Sequence, residues 1–323
     1  MAPVLEKVSC SASELGTFAD CEARYYHGLQ RYATGVLPTD RIPADVSSAV
    51  HDALMVYHRA VEQAHVKGGL PSVDAAQARL RAEIAKQLGR KRLNAAHPEV
   101  ADRLAKLARG IDRVAELIVT DAPGWAVDCA TGDLLVWEEA PLDHGPGIQA
   151  VELAPRFLVR TRPDVIGLRM VGQDRYRAVV RDFKARTEVV DPEYDDGILV
   201  RAIWVMLELK NPRCRWFPGR RVVPVDTSGV HVETVNMMHA DGGDFLLRAS
   251  LSERQLLVHR DRIAGTMREM GQVQQAASAD EVKASPNGLC RDWCPFLNRC
   301  PEGMAHVRKY YGEEALDARL GEA

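Results

Sequence analysis

Two stretches decide the fold: Arg162-Pro163-Asp164-Val165-Ile166-Gly167 and, shortly after, Val179-Val180-Arg181-Asp182-Phe183-Lys184. Both are β-prone apolar runs interrupted by charge, so two adjacent strands carrying acids are expected. Side chains alternate faces along a strand, which points Asp182 and Lys184 to one side and Phe183 to the other, into packing. Two carboxylates and an ammonium then share a compact polar site. Cleaving a phosphodiester needs a hard cation that polarises the phosphoryl oxygens and makes a nucleophile from water, and Mg²⁺ is held by one or two carboxylates plus water and phosphate. Asp164 and Asp182 suit that task. Lys184 would orient or help deprotonate the attacking water and offset charge building on the phosphate.

On the N-terminal side, Ser11 and Glu14 stand at capping-box spacing ahead of Leu15, Phe18, Cys21 and Tyr25, which predicts a helix that carries Cys21. A loop with Gly35, Pro38 and Pro43 follows. From Val46 to Val66 the apolar residues Val50, Leu54, Tyr57 and Val61 fall on one helical face with His51 beside it, and an imidazole there is a candidate further ligand for the same cation. The segment from Ala75 to Val119 stays helical in pattern around a break at Pro98 and reads as a helical insertion. Its basic residues, among them Arg81, Lys86, Arg103, Lys106 and Arg109, either follow a phosphate backbone or form a solvated face, since Glu83, Asp102 and Asp112 are interleaved.

On the C-terminal side, short β-prone runs at Leu134–Trp137, Val151–Leu153, Phe157–Val159, Val165–Met170 and Tyr176–Phe183 predict a sheet. Ile198 to Leu209 reads as a buried helix. Val230–Met238 and Phe245–Leu251 flank Asp241-Gly242-Gly243-Asp244 as a hairpin, and Ser252 with Gln255 caps a helix running towards Gln275. The Asp-Gly-Gly-Asp segment lacks the further oxygen ligands of a calcium loop and is read as a turn.

The composition, 46% hydrophobic and 27% charged over 323 residues, is that of a globular chain, read here as one elaborated domain. No apolar run approaches the roughly 20 residues that span a bilayer. Met1 to Cys10 lack the features of an export signal, so no membrane association and a cytoplasmic location are expected. A net charge of −3 argues against coating nucleic acid by bulk electrostatics.

Seven cysteines do not suit a disulfide framework. Three of them, Cys290, Cys294 and Cys300, are closely spaced as C-x3-C-x5-C and need one more ligand, for which Cys21 is the candidate. Spacing alone leaves zinc and iron–sulfur open. Cys10, Cys129 and Cys214 are isolated and read as small buried thiols. Arg24, Tyr25, Tyr26, Arg31 and Tyr32 form a candidate platform for stacking bases and contacting phosphates, with core packing the alternative for the tyrosines. The chain has no P-loop motif, so any helicase motor would come from another polypeptide.

Pro163-Asp164 followed by Asp182-Phe183-Lys184 resembles the signature of the PD-(D/E)XK nuclease superfamily. Val50-His51-Asp52-Ala53-Leu54 resembles the helical histidine motif of its RecB/AddB-type and CRISPR-adaptation branch, as does the opening segment from Ser11 through Cys21-Glu22-Ala23-Arg24-Tyr25-Tyr26. The resemblance implies an α/β fold: a restriction-endonuclease-like central mixed sheet flanked by helices, with a helical insertion and a C-terminal iron–sulfur clasp. It implies N-terminal helices over residues 1–66, the insertion over 67–150, the catalytic core over 151–280 and the cysteine segment over 281–323. It also implies Mg²⁺ or Mn²⁺ on His51, Asp164 and Asp182, with Asp164, Asp182 and Lys184 catalytic. The division of one early and three late cysteines resembles iron–sulfur nucleases of the AddB type and implies a [4Fe–4S] cluster on Cys21, Cys290, Cys294 and Cys300. The implied activity is exonucleolytic cleavage of single-stranded DNA or DNA ends, in DNA repair or phage defence, with a helicase or other nucleic-acid-processing subunit as a possible partner. Where the family carries Gln and, four residues on, Tyr, this chain reads Gly197-Ile198-Leu199-Val200-Arg201-Ala202-Ile203-Trp204. Arg201 is the residue that would partly substitute. The alternative function is a nuclease-derived module that grips DNA or protein with little catalysis.

Overall fold

A computed structural model of the chain describes residues 8–34, 42–125, 136–138, 149–154, 157–161, 163–172, 175–186, 188–211, 225–276, 278–292 and 294–321. The expectations placed on Cys129, Cys214, Arg162, Trp293 and the side chains of Arg31 and Tyr32 lie outside the described residues. The chain opens with β1 (Val8–Ser11), α1 (Ala12–Asp20), α2 (Glu22–Thr34), α3 (Ile42–Val66), α4 (Val73–Arg90) and α5 (Pro98–Asp121). The strands β2 (Val136–Glu138), β3 (Gln149–Ala154), β4 (Phe157–Thr161), β5 (Val165–Gly172) and β6 (Arg175–Lys184) follow. Then come α6 (Asp196–Lys210), β7 (Val225–Asn236), β8 (Leu246–Ser252), α7 (Glu253–Gln274), α8 (Leu289–Asp292), α9 (Pro301–Tyr311) and α10 (Glu313–Gly321). Among the described residues no helix is long and apolar enough to cross a membrane.

Two compact units arise from these elements. One comprises Met1–Thr39, Ala150–Arg160 and Asp261–Ala323. Its small sheet has the order β1-β4-β3, with β1 parallel to β4. The capping box forms as its spacing predicts: Ser11 Oγ accepts the Glu14 N–H at 3.2 Å and Glu14 Oε2 accepts the Ser11 N–H at 2.5 Å. Cys21 is not carried inside a helix as expected; it is the C-cap of α1, extended, in the break before α2. That break is stitched to the C-terminal segment, because Ala23 N–H donates to Lys283 O at 3.2 Å and Asn287 Nδ2 donates to Asp20 O at 3.4 Å.

The other unit comprises Asp40–Gln149 and Thr161–Arg260. Its five-stranded mixed sheet has the order β2-β5-β6-β7-β8, antiparallel throughout except for the parallel pair β6 and β7, which α6 connects. A parallel pair needs such a crossover, and Ile198–Leu209 supplies a helix apolar enough to lie on the sheet. The opposite face packs on α3, α4 and α5, where Leu54, Leu80, Leu107 and Ile111 meet Val179 and Phe183 in one core. Contact there is close: a Cβ on Gly110 of α5 would stand 1.9 Å from the carbonyl oxygen of Met237, just past β7. The basic face of the insertion is largely paired, with Arg81 on Asp112, Lys86 on Glu83, Lys106 on Asp102 and Lys91 on Asp52. Surface pairs of this kind contribute little stability, and they leave this face less charge for a phosphate backbone than the sequence suggests.

The same side of the sheet holds a buried ionic network. Arg181, fully buried, donates from Nε to Glu233 Oε2 at 2.8 Å and also pairs with Asp121 at the end of α5. Arg169 joins Glu233 at 2.8 Å and Asp121 at 3.1 Å, and its guanidinium lies 4.3 Å from the Trp125 ring centre. Burial would raise the Glu233 carboxyl, but Arg181 and Arg169 outweigh it and hold the group at about 2.

Candidate active site

The site lies at the end of β6, within the larger unit. Val165 pairs with Arg181 across the antiparallel β5–β6 ladder, so Asp164, one residue earlier, comes opposite Asp182 on the same face. Asp164 is buried and oriented on both oxygens: Oδ2 accepts the Phe183 N–H at 2.7 Å and Oδ1 lies 2.7 Å from His51 Nε2. His51 reaches it from α3, whose neighbouring Val50 and Leu54 are buried in the core, which fixes the helix rotation.

Asp182 is also buried and forms ion pairs with Lys184 on its own strand and with Arg201 on α6. Burial pushes its carboxyl up, yet the Arg201 and Lys184 charges, with the adjoining Asp164, hold it well below the usual carboxylate range. Arg201 additionally donates from Nε to Thr161 Oγ1 at 3.1 Å. The structure thus brings together His51, Asp164, Asp182, Lys184 and Arg201. Among the described residues no three His, Cys, Asp or Glu side chains form a ready-made metal cage.

Sequence reasoning missed Asp195. It is the N-cap of α6, with Oδ1 accepting the N–H groups of Gly197 at 2.9 Å and Ile198 at 3.3 Å. Its Oδ2 takes Lys184 Nζ at 3.2 Å and Arg186 Nη2 at 2.7 Å. An acid just ahead of an apolar helical run is an N-cap signal, and that signal was legible. Burial would lower the Lys184 ammonium, but Asp182 and Asp195 raise it, so the side chain stays a cation. Arg103 was read only as part of a basic face; it donates to the Ala185 carbonyl and, at 3.4 Å, to Ser47 Oγ, bracing the chain just after Lys184.

In the smaller unit Cys21, Cys290, Cys294 and Cys300 line one cavity, together with Arg24, His27 and Phe296. Backbone N–H groups point at the sulfurs: Ser285 to Cys21 at 3.5 Å, Asn287 to Cys290 at 3.4 Å and Gly303 to Cys300 at 3.3 Å. Phe296 does the same for Cys294. Burial, and then the neighbouring thiols, push Cys294 and Cys300 up. A Cβ on Gly303 would come within 3.3 Å of the Cys300 sulfur, so glycine keeps that approach open.

The expected stacking platform is corrected. Tyr25 and Tyr26 are both buried. The Tyr25 ring meets Phe18 edge-on at 5.5 Å, and its hydroxyl accepts a hydrogen bond from Gln274 Nε2 at 2.7 Å. Their apolar rings are worth more in the core than in water, so neither offers a face to a base. Arg24 faces the cysteine cavity and lies 3.9 Å from Asp20.

Comparison with known families finds that the profile described as the PD-(D/E)XK nuclease superfamily matches residues 9–301. No curated protein matches the chain.

Proposed function

The chain belongs to the PD-(D/E)XK nuclease superfamily, and on that premise we propose that it hydrolyses phosphodiesters of DNA with Mg²⁺ or Mn²⁺, acting as an exonuclease on single strands or ends. The observation that carries this reading is the meeting of His51, Asp164, Asp182 and Lys184 at one strand end. The donor set fits a hard cation: two adjoining carboxylates, one held ionised, with an imidazole on the first. Asp164, Asp182 and His51 would hold the ion, which when bound polarises the phosphoryl group and acidifies a water. Lys184, kept charged by Asp182 and Asp195, offsets negative charge on the phosphate. Asp195 fixes its amine while capping α6, and Arg201 orients Asp182 in place of the family's Gln and Tyr.

The four cysteines are proposed to hold a [4Fe–4S] cluster. Four thiols lining one cavity, each sulfur facing a backbone N–H, suit thiolates stabilised by a metal centre. Zinc would use the same donors, and the resemblance to AddB-type nucleases decides for iron–sulfur.

Labelled single-stranded and duplex DNA incubated with Mn²⁺ or Mg²⁺ tests the activity. Progressive shortening from an end by the wild type, lost in Lys184→Ala, is the expected result; intact DNA with both proteins overturns it. That negative outcome would favour the second reading, a DNA- or protein-binding module, which draws on the occupation of Asp182 by two cationic side chains.

A further inference from the structure

The end of α9 carries a group of rings and cations that the active site does not use. Tyr310 is 62% exposed and Tyr311 40% exposed, although a buried aromatic ring of this size would contribute to the core. Gly312, at φ +90°, ends the helix in the left-handed region and leaves the two tyrosines on its last turn. His306, one turn earlier, lies 4.7 Å from the Tyr310 ring centre and 6.3 Å from that of Tyr311. Lys309 stands 4.9 Å over Tyr310, and Arg291 from α8 stands 4.9 Å over Tyr311. Arg308 is already neutralised by Glu313, so the cations facing the rings are Lys309 and Arg291.

We propose that this patch, Arg291 with His306, Lys309, Tyr310 and Tyr311, is a second binding surface for single-stranded nucleic acid, outside the cleavage site. Aromatic rings offer faces to unpaired bases regardless of sequence, and interleaved cations meet the phosphates. A duplex keeps its bases stacked on one another and would gain only from the cations. An apolar protein partner would leave Lys309 and Arg291 to be desolvated without counter-charge, which disfavours it. The chemistry therefore selects an unpaired polyanion with π faces. The surface rests on the nuclease reading only for its purpose, which is to retain a strand whose end is being processed.

Fluorescence anisotropy with a labelled thymidine oligomer, in buffer without divalent cation, tests it against an abasic oligomer of equal length and charge. Tyr310→Ala/Tyr311→Ala is expected to weaken binding of the thymidine oligomer about 10-fold, within the range for one stacked base, while binding of the abasic strand stays unchanged. Lys309→Gln should weaken both strands alike. Unchanged thymidine affinity in the double variant overturns the proposal, as does an equal loss on both strands, or binding confined to vesicles of anionic lipid. Hydrolysis of bis(p-nitrophenyl) phosphate in Mn²⁺ reports the cleavage site alone. If the wild type fails there, the nuclease reading fails; if the wild type hydrolyses it and the oligomer binding does not respond, only the patch is refuted.

Discussion

His51 Nε2 and Asp164 Oδ1 stand 2.7 Å apart, and the other oxygen of the same carboxylate is held by the Phe183 N–H. One acid is thereby aimed by a helix and by the neighbouring strand together. Replacing His51 with Ala removes the helical side of that constraint. The Mn²⁺ concentration for half-maximal cleavage should rise at least about 10-fold, as when groups that position a metal ligand are lost. Circular dichroism should stay native, because His51 is only partly buried.

Lys184→Ala takes away the cation between Asp182 and Asp195. Single-turnover cleavage should slow about 100-fold or more, the scale on which loss of one electrostatic contact to a transition state acts. Affinity for DNA should change by less than about 10-fold. A rate within 3-fold of wild type would remove Lys184 from the chemistry.

The Glu233 network governs acid stability. Its carboxyl is depressed from 4.5 to about 2, so the stabilisation is present above pH 4.5 and is lost as pH falls through 2. A shift of this size amounts to roughly 3 kcal/mol for a buried group. Glu233→Gln strands Arg181 and should lower stability at pH 7 by about 3 kcal/mol. Urea melts from pH 5 to pH 2 should show a shallower decline for the variant, and parallel curves would contradict the assignment.

Gly110→Ala sets a methyl group against the Met237 carbonyl. Neither backbone can yield cheaply, and a loss of about 1–3 kcal/mol is expected, the usual scale of overpacking. Thermal melts of the variant beside Gly89→Ala, where a methyl meets nothing within 4 Å, give the comparison.

Anaerobically purified protein should be brown with broad visible absorption. Cys294→Ser should lose most of that colour and melt at a lower temperature, since it removes one of four thiols around the cavity. A colourless wild type containing stoichiometric zinc would replace iron–sulfur by a zinc site.

Much of the fold was legible because its signals are local. The Asp182-Phe183-Lys184 alternation gave the polar end of β6, the Ser11 and Glu14 spacing gave the start of α1, and Pro98 marked the start of α5. His51 was legible by its place beside an apolar helical stripe. What stayed hidden depends on partners far along the chain. Arg181 reads as a charge interrupting a strand, and only Glu233 and Asp121, 52 and 60 residues away, make its burial tolerable. Tyr25 and Tyr26 looked like a surface pair because sequence does not disclose which helix face the rest of the fold will cover.

Arg181 and Asp182 are consecutive, and the pleat sends one into the ionic network and the other towards the catalytic cation. A slip of β6 by a single residue would deliver a guanidinium where the acid belongs and leave Glu233 facing a carboxylate. Such a misaligned strand would forfeit both clusters at once, so the pair acts as a built-in proofreader of strand alignment during folding.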